Sequence, residues 1–181
     1  MNVSLMRVQE SDLQILMEWR MRPDITKYMF TNPVLTMETQ KKWYEKLKTD
    51  NSQMRWVIYY EDIPIGSYYL VDIDYRNKRC EGGEFIAEKK YRSLDLSISL
   101  SCNAYDYVFD VLGLNRIYGY IIPENKNIIA LNKMRGFEVE GVMKQHIVKD
   151  GQFFDVAILA ITRDRWIKLR ETIEYDKFYI E

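Results

Sequence analysis

The sequence predicts an α+β fold: a mostly antiparallel central sheet flanked by helices. Three observations carry this. The apolar period switches repeatedly between the helical 3.6 and the strand period of 2. The order is α-α-β-β-β-α-β-α-β-β-α, with hairpins in place of the regular alternation of a doubly wound parallel sheet. At 181 residues, 47% hydrophobic and 29% charged, the chain has the size and balance of a single globular domain, assigned to residues 1–181.

The elements follow in chain order. Ser11-Asp12-Leu13-Gln14 has a capping-box pattern and leads into Leu13, Ile15, Leu16 and Trp19, with Pro23 as the stop. A second helix starts near Thr36 and carries Trp43, Tyr44 and Leu47 toward Thr49. Trp56–Tyr60 is β-rich, Glu61–Pro64 reads as a turn, and Ile65–Val71 returns. Glu84–Ala87 reads as a third strand after a break at Gly82-Gly83. Ile98, Cys102, Tyr105, Phe109 and Leu112 mark one helix face, closed by Gly113. Arg116–Ile122 reads as a strand, Pro123-Glu124-Asn125 as a break, and Asn127–Arg135 as a short helix ended by Gly136. Glu140–Val148 and Phe153–Thr162 form a hairpin around Lys149-Asp150-Gly151, and Thr162 caps a last helix through Trp166 and Leu169.

Composition excludes several functions. The 26 Lys and Arg nearly cancel 27 Asp and Glu, so no basic excess drives binding to nucleic acid or membrane. One histidine, His146, and two cysteines without C-x-x-C spacing are too few for a structural zinc site, and no metal is expected. The longest aliphatic run, Val156–Ile161, is far short of a membrane span, and no signal-peptide pattern opens the chain. A reduced, cytoplasmic protein is expected.

Three stretches carry a family resemblance. They are Gly113-Leu114-Asn115-Arg116-Ile117 with Pro123-Glu124-Asn125 and Gly136-Phe137-Glu138-Val139-Glu140-Gly141; Asp150–Val156 with Arg165-Trp166; and Glu18-Trp19-Arg20, Pro23 and Tyr28-Met29-Phe30. In this order and spacing the chain resembles the GNAT superfamily of N-acetyltransferases. It is similar to the RimJ/RimL-like branch and to the amino-sugar acetyltransferases of the pseudaminic-acid pathway. The resemblance implies the GNAT fold, acetyl-CoA as cosubstrate, and transfer of its acetyl group to a primary amine of a small molecule, such as a nucleotide-linked amino sugar. Two alternatives stay open: a protein N-terminal or polyamine acetyltransferase, and a GNAT-fold binding module that has lost catalysis.

The resemblance also places residues. In this fold a strand runs into a loop and a helix N-terminus whose free amides hold the CoA pyrophosphate. Here the loop is Tyr91–Ser97, the helix is expected near Ser97, and Arg92, Ser93, Leu94, Asp95, Leu96 and Ser97 are the cofactor-binding candidates. The family pattern is Arg/Gln-x-x-Gly-x-Gly/Ala. Arg92 keeps it, whereas Asp95 and Ser97 stand where small residues are usual. The Asp95 carboxylate would oppose a phosphate, or would itself cap the helix. Lys89-Lys90 and Arg92 form a basic cluster suited to a further phosphate of CoA. Asn125 matches a position that hydrogen-bonds the cofactor. Asn132 stands where many members carry the Tyr that protonates the departing thiolate; an amide cannot give up a proton but can donate a hydrogen bond.

The amine needs a base, because its ammonium has a pKa near 10. The resemblance points to a carboxylate on or just before the strand that precedes the loop: Glu84 first, Glu81 second. On a regular strand these two face opposite sides unless Gly82-Gly83 forms a bulge. Arg20, Arg22, Tyr28 and Met29 are the candidates for holding the acceptor. The expected partner is a small-molecule amine, with no nucleic acid and no membrane; a homodimer is left open.

Overall fold

The computed structural model describes residues 1–181. One eight-stranded sheet runs through the molecule, in the order β6-β7-β5-β4-β3-β2-β1-β8. Its strands are β1 (Val3–Arg7), β2 (Met54–Tyr60), β3 (Ile63–Asp74), β4 (Arg79–Ile86), β5 (Arg116–Ile121), β6 (Glu138–Lys149), β7 (Gln152–Thr162) and β8 (Tyr179–Ile180). The helices are α1 (Leu13–Met21), α2 (Pro23–Thr26), α3 (Met37–Leu47), α4 (Leu94–Asp106), α5 (Lys126–Met134) and α6 (Arg163–Leu169). No helix is long and apolar enough to cross a membrane.

Helices cover both faces. On one side α4, the π-helical turn Tyr107–Val111 that continues it, and α6 bury Leu100, Phe109 and Trp166 against Trp56, Leu70 and Ile117 of the sheet. On the other, α1 packs Leu13, Leu16 and Trp19 onto Val57 and Ala87, with α3 adding Trp43 and Leu47. This two-sided burial explains why the central strands read as apolar runs and not as clean alternation.

Four elements differ from the sequence expectation. Strands β1 and β8 are too short to announce themselves. β1 pairs antiparallel with β2 and parallel with β8, contacts that join the two ends of the chain. Strand β4 begins at Arg79, not Glu84, and Gly82-Gly83 lies inside it. Leu70, Tyr69 and Tyr68 of β3 pair in unbroken register with Gly82, Gly83 and Glu84. The glycines stay in the strand because the Tyr69 ring fills the space over Gly83: a Cβ there would sit 2.3 Å from its Cζ. Helix α4 starts at Leu94, three residues before the expected Ser97, because Ser93 is its N-cap and Ser93 Oγ accepts the Leu96 amide at 3.2 Å.

The Ser11 capping box does not form: Ser11 lies inside a single 3-10 turn, Glu10–Asp12, and the box is made by Gln9 and Asp12. The two glycine-marked turns match. Gly113 follows the helical stretch in the left-handed region, with φ of 64°. Asp150 and Gly151 both take positive φ at the tip of the β6–β7 hairpin, as a two-residue primed turn requires. That tip reaches across the molecule. Lys149 Nζ donates to the carbonyls of Thr26, Lys27 and Met29 at 2.7, 3.0 and 2.9 Å, fixing the start of the α2–α3 connection.

The feature that matters most for function is the β4–β5 pair. These strands are parallel, yet they pair only from Arg79–Arg116 to Glu81–Tyr118. Beyond that point β4 follows β3 and β5 follows β7, so the two part.

Gly66 tests how tightly this half of the sheet is built. A Cβ there would lie 2.2 Å from the Phe85 carbonyl oxygen, a backbone atom that cannot move without breaking the β3–β4 ladder. Gly66→Ala should cost about 1–3 kcal/mol or more in urea unfolding. Gly141→Ala, with nothing within 4 Å of the new Cβ, should stay within about 0.5 kcal/mol of the parent.

Candidate active site

Where β4 and β5 part, strand alternation gives the two faces different chemistry. Gly82 and Gly119 face the α4 side, with Ile117 and Leu70. A Cβ on Gly119 would come within 3.3 Å of the Gly82 carbonyl oxygen, so this side is open only because neither residue has a side chain. Glu81 and Tyr118 face the α1–α3 side, followed by Tyr120, whose ring centroid is 5.7 Å from that of Tyr118.

The N-terminus of α4 lies beyond the end of β4, across the turn Lys89–Tyr91. Leu96 N is capped by Ser93 Oγ, and Ser97 N donates to the Ser93 carbonyl at 3.2 Å. The Leu94 and Asp95 amides are the two left to point outward at this helix end. Asp95 is exposed in the first turn and is not the cap. Arg92 does not project freely. Its Nε donates to the Ile86 carbonyl at 2.8 Å and its Nη2 to the Ala87 carbonyl at 3.2 Å. Arg22 holds the same corner from below, donating to the Ala87 carbonyl at 3.1 Å and to Asp24 at 3.0 Å. The Arg22 hydrogen bonds, with Arg92 and Lys89 nearby, draw the Asp24 carboxyl down to about 2. Arg22 and Arg92 therefore brace the loop.

The two carboxylates are separated by the sheet. Glu84 lies on the α4 side, ion-paired to Arg135 Nη2 at 2.8 Å, and both side chains are largely buried. The cross-strand neighbour of Glu84, Tyr68, is buried as well, which pushes its phenol well above the ordinary range. Glu81 lies on the α1–α3 side. Burial raises its pKa, Asp72 adds to the rise, and the Arg55 charge opposes it.

The sequence reading did not single out Arg55 and Tyr69, which flank Glu81. Arg55, Tyr69 and Gly83 stand side by side across β2, β3 and β4. The guanidinium carbon of Arg55 is 4.8 Å from the Tyr69 ring centroid and 5.9 Å from that of Trp43. The only hint in sequence is a charged residue placed directly before the buried run Trp56-Val57-Ile58. Arg20 belongs to this group through its proximity to Tyr69 and Arg55. Of the other candidates, Tyr28 is exposed and Met29 half-buried on the α2–α3 connection, where the Met29 carbonyl accepts from Lys149. Asn132 Nδ2 donates back to the Ile128 carbonyl at 2.9 Å within α5. Asn125 is the N-cap residue of α5, and its side chain makes no capping bond.

The family model described as an acetyltransferase (GNAT) domain matches residues 5–158. The chain belongs to the GNAT acetyltransferases. It is accordingly an acetyl-CoA-dependent N-acetyltransferase with the mixed, mostly antiparallel fold of that family. It is 25% identical over 172 residues to the spermidine N(1)-acetyltransferase of Vibrio cholerae, covering 93% of this chain and 98% of the relative. It is 23% identical over 132 residues to the acetyltransferase PseH of Campylobacter jejuni, covering 73% and 80%. The crystal structure of the Vibrio cholerae spermidine N-acetyltransferase in complex with CoA and spermine superposes with a TM-score of 0.85 at 24% identity, over 92% of this chain and 98% of that one.

The different surroundings of the carboxylates give opposite expectations for stability. Glu84→Gln strips the partner from the buried Arg135 and should cost about 3–5 kcal/mol. Glu81 has a folded pKa above its unfolded value, so it stabilises the fold below the unfolded pKa and loses that contribution as pH rises through the folded one. Glu81→Gln should therefore gain stability relative to the parent as pH rises above the unfolded carboxylate value of about 4 in urea titrations.

Proposed function

We propose that the acetyl group is delivered through the gap between β4 and β5 to a primary amine held on the α1–α3 side, with Glu81 as the general base. The observation that carries this reading is the chemistry of the two faces of the gap. Glycines leave the α4 side open, and a carboxylate with a raised pKa stands on the other. The thioester of acetyl-CoA supplies the activated acyl group. On this reading the Leu94 and Asp95 amides, at the positive end of α4, hold the pyrophosphate. Gly82 and Gly119 give room for the pantetheine arm between the strands. Glu81 takes the proton of the attacking amine, for which a carboxylate pKa shifted toward neutrality is better suited than an ordinary one. Glu84, held by Arg135 on the cofactor side, keeps the strand in place. Asn132 reaches the sulfur only by exchanging its bond to Ile128 for one to the developing thiolate.

The acceptor we favour is a small amine, with an amino sugar on a nucleotide as the leading candidate. The N-terminal segment resembles the amino-sugar acetyltransferases, and PseH is among the relatives. The aromatic pair Tyr118 and Tyr120 lines the side from which such a ring would approach. A polyamine is the second reading, favoured by the spermidine N(1)-acetyltransferases among the relatives. Self-association is proposed on the same footing, since one of the related structures is dodecameric.

Two measurements check these assignments. Asp95→Gly should tighten acetyl-CoA binding in calorimetry, by about 1 kcal/mol at most for an exposed charge; weaker binding would move the pyrophosphate away from this helix end. In competition for acetyl-CoA, a nucleotide-linked 4-amino sugar should exceed spermidine and a peptide with a free N-terminus in kcat/KM. Preference for spermidine would establish the polyamine reading, with Glu81 and the β4–β5 gap unchanged.

A further inference from the structure

Two guanidinium groups on the acceptor side lack the partners that buried charges normally have. The half-buried Arg55 side chain forms no hydrogen bond or ion pair, and its Nε is buried without an acceptor. Its neighbours are the rings of Tyr69 and Trp43, which hold the guanidinium by its faces and leave its edge unpaired. Arg20 makes one hydrogen bond, from Nη2 to Thr31 Oγ1 at 3.2 Å, while its Nη1 is buried with no acceptor. The two charges repel each other, and burial adds to the cost of keeping both. Glu81 is the carboxylate near Arg55, yet it forms no ion pair with it. A buried charge without a counter-charge is costly enough that proteins pair it or neutralise it. Arginine cannot neutralise itself by losing a proton.

Position narrows what could supply the missing charge. Arg55 stands in the same row as Tyr69 and Gly83, two residues past the last paired residues of β4 and β5. The hydrogen bond to Thr31 puts Arg20 beneath the α2–α3 connection, the segment that Lys149 pins to the β6–β7 hairpin. Both groups thus sit at the wall of the acceptor side. Between Arg20 and Lys48 the chain carries seven basic and three acidic residues. A polycation entering here would meet like charge.

We propose that Arg20 and Arg55 form a binding subsite for a phosphate group carried by the acceptor, so that the amine is presented to Glu81 as part of a phosphorylated molecule. This rests on the acetyl-transfer reading of the β4–β5 gap and adds the residues that would hold the phosphate of such an acceptor. Two adjacent guanidiniums match the charge of a phosphate, about −1.5 to −2, and the planar fork suits its oxygens. Tyr69 and Trp43 set the Arg55 plane, and Gly83 lets the Tyr69 ring lie flat on β4 beneath it.

The test is a calorimetric titration of uridine diphosphate into protein saturated with CoA, so that the cofactor's own phosphate sites are filled. The parent should bind saturably. Arg55→Met and Arg20→Met should each weaken binding at least about tenfold, while Arg55→Lys retains part of it. Succinate should bind more weakly than uridine diphosphate. Unfolding midpoints of the variants should equal or exceed the parent's, and their CoA affinity should match it. Absence of uridine diphosphate binding to the CoA-loaded protein, equal binding by all variants, or tighter binding of succinate would overturn the phosphate subsite. Failure of CoA itself to bind would strike the acetyl-transfer reading instead. The same titration on the free protein, judged by the same arginine variants, would then decide the subsite.

Discussion

The site depends on one constraint: two parallel strands that stop pairing after three residues. Each of β4 and β5 has another neighbour to satisfy its backbone, β3 for one and β7 for the other, so the ladder can open without orphaning every amide along the gap. What the opening leaves is a slot with polar backbone on both walls. Glycine at 82 and 119 keeps side chains out of it on the α4 side. The α4 N-terminus, the bracing of its loop by Arg92 and Arg22, and the α1–α3 cover all take their positions from that opening.

Opposite electrostatics on the two faces follow from the period of the strand. Glu84 and Glu81 are three residues apart and therefore on opposite sides. Glu84 is neutralised by Arg135 within the cofactor face. Glu81 keeps a raised pKa in a half-buried setting beside Arg55 and Tyr69. A carboxylate destabilised by burial is a better proton acceptor than an ordinary one. Alternation along the strand thus puts an ion-paired carboxylate on one face and a carboxylate with a raised pKa on the other.

Legibility in the sequence followed the range of the interactions. Local signals were readable: the positive-φ Gly113 closing a helical stretch, the Asp150-Gly151 turn, the Thr36 cap of α3. The fold was recognisable from ordered motifs. Readings that needed a distant partner were not available. Gly82-Gly83 looks like a break until Tyr69 is known to lie over it. Arg22 and Arg92 look like free cations until Asp24 and the Ala87 carbonyl are brought beside them. The preference for Glu84 over Glu81 could not anticipate Arg135, fifty-one positions on, whose guanidinium meets Glu84 only in the folded chain. Ser93 and Asp95 are both good capping residue types, and only the backbone turn distinguishes them.

The most direct test of the central claim is the affinity for acetyl-CoA of a variant that narrows the slot from one side. Gly119→Val places a branched side chain against the Gly82 carbonyl, on the open face and away from Glu81 and the arginines. Calorimetry should show saturable acetyl-CoA binding by the parent and at least about a tenfold loss in the variant, with circular dichroism and the unfolding midpoint little changed. Undiminished acetyl-CoA affinity in a folded Gly119→Val protein would contradict the parting of β4 and β5 as the seat of the cofactor.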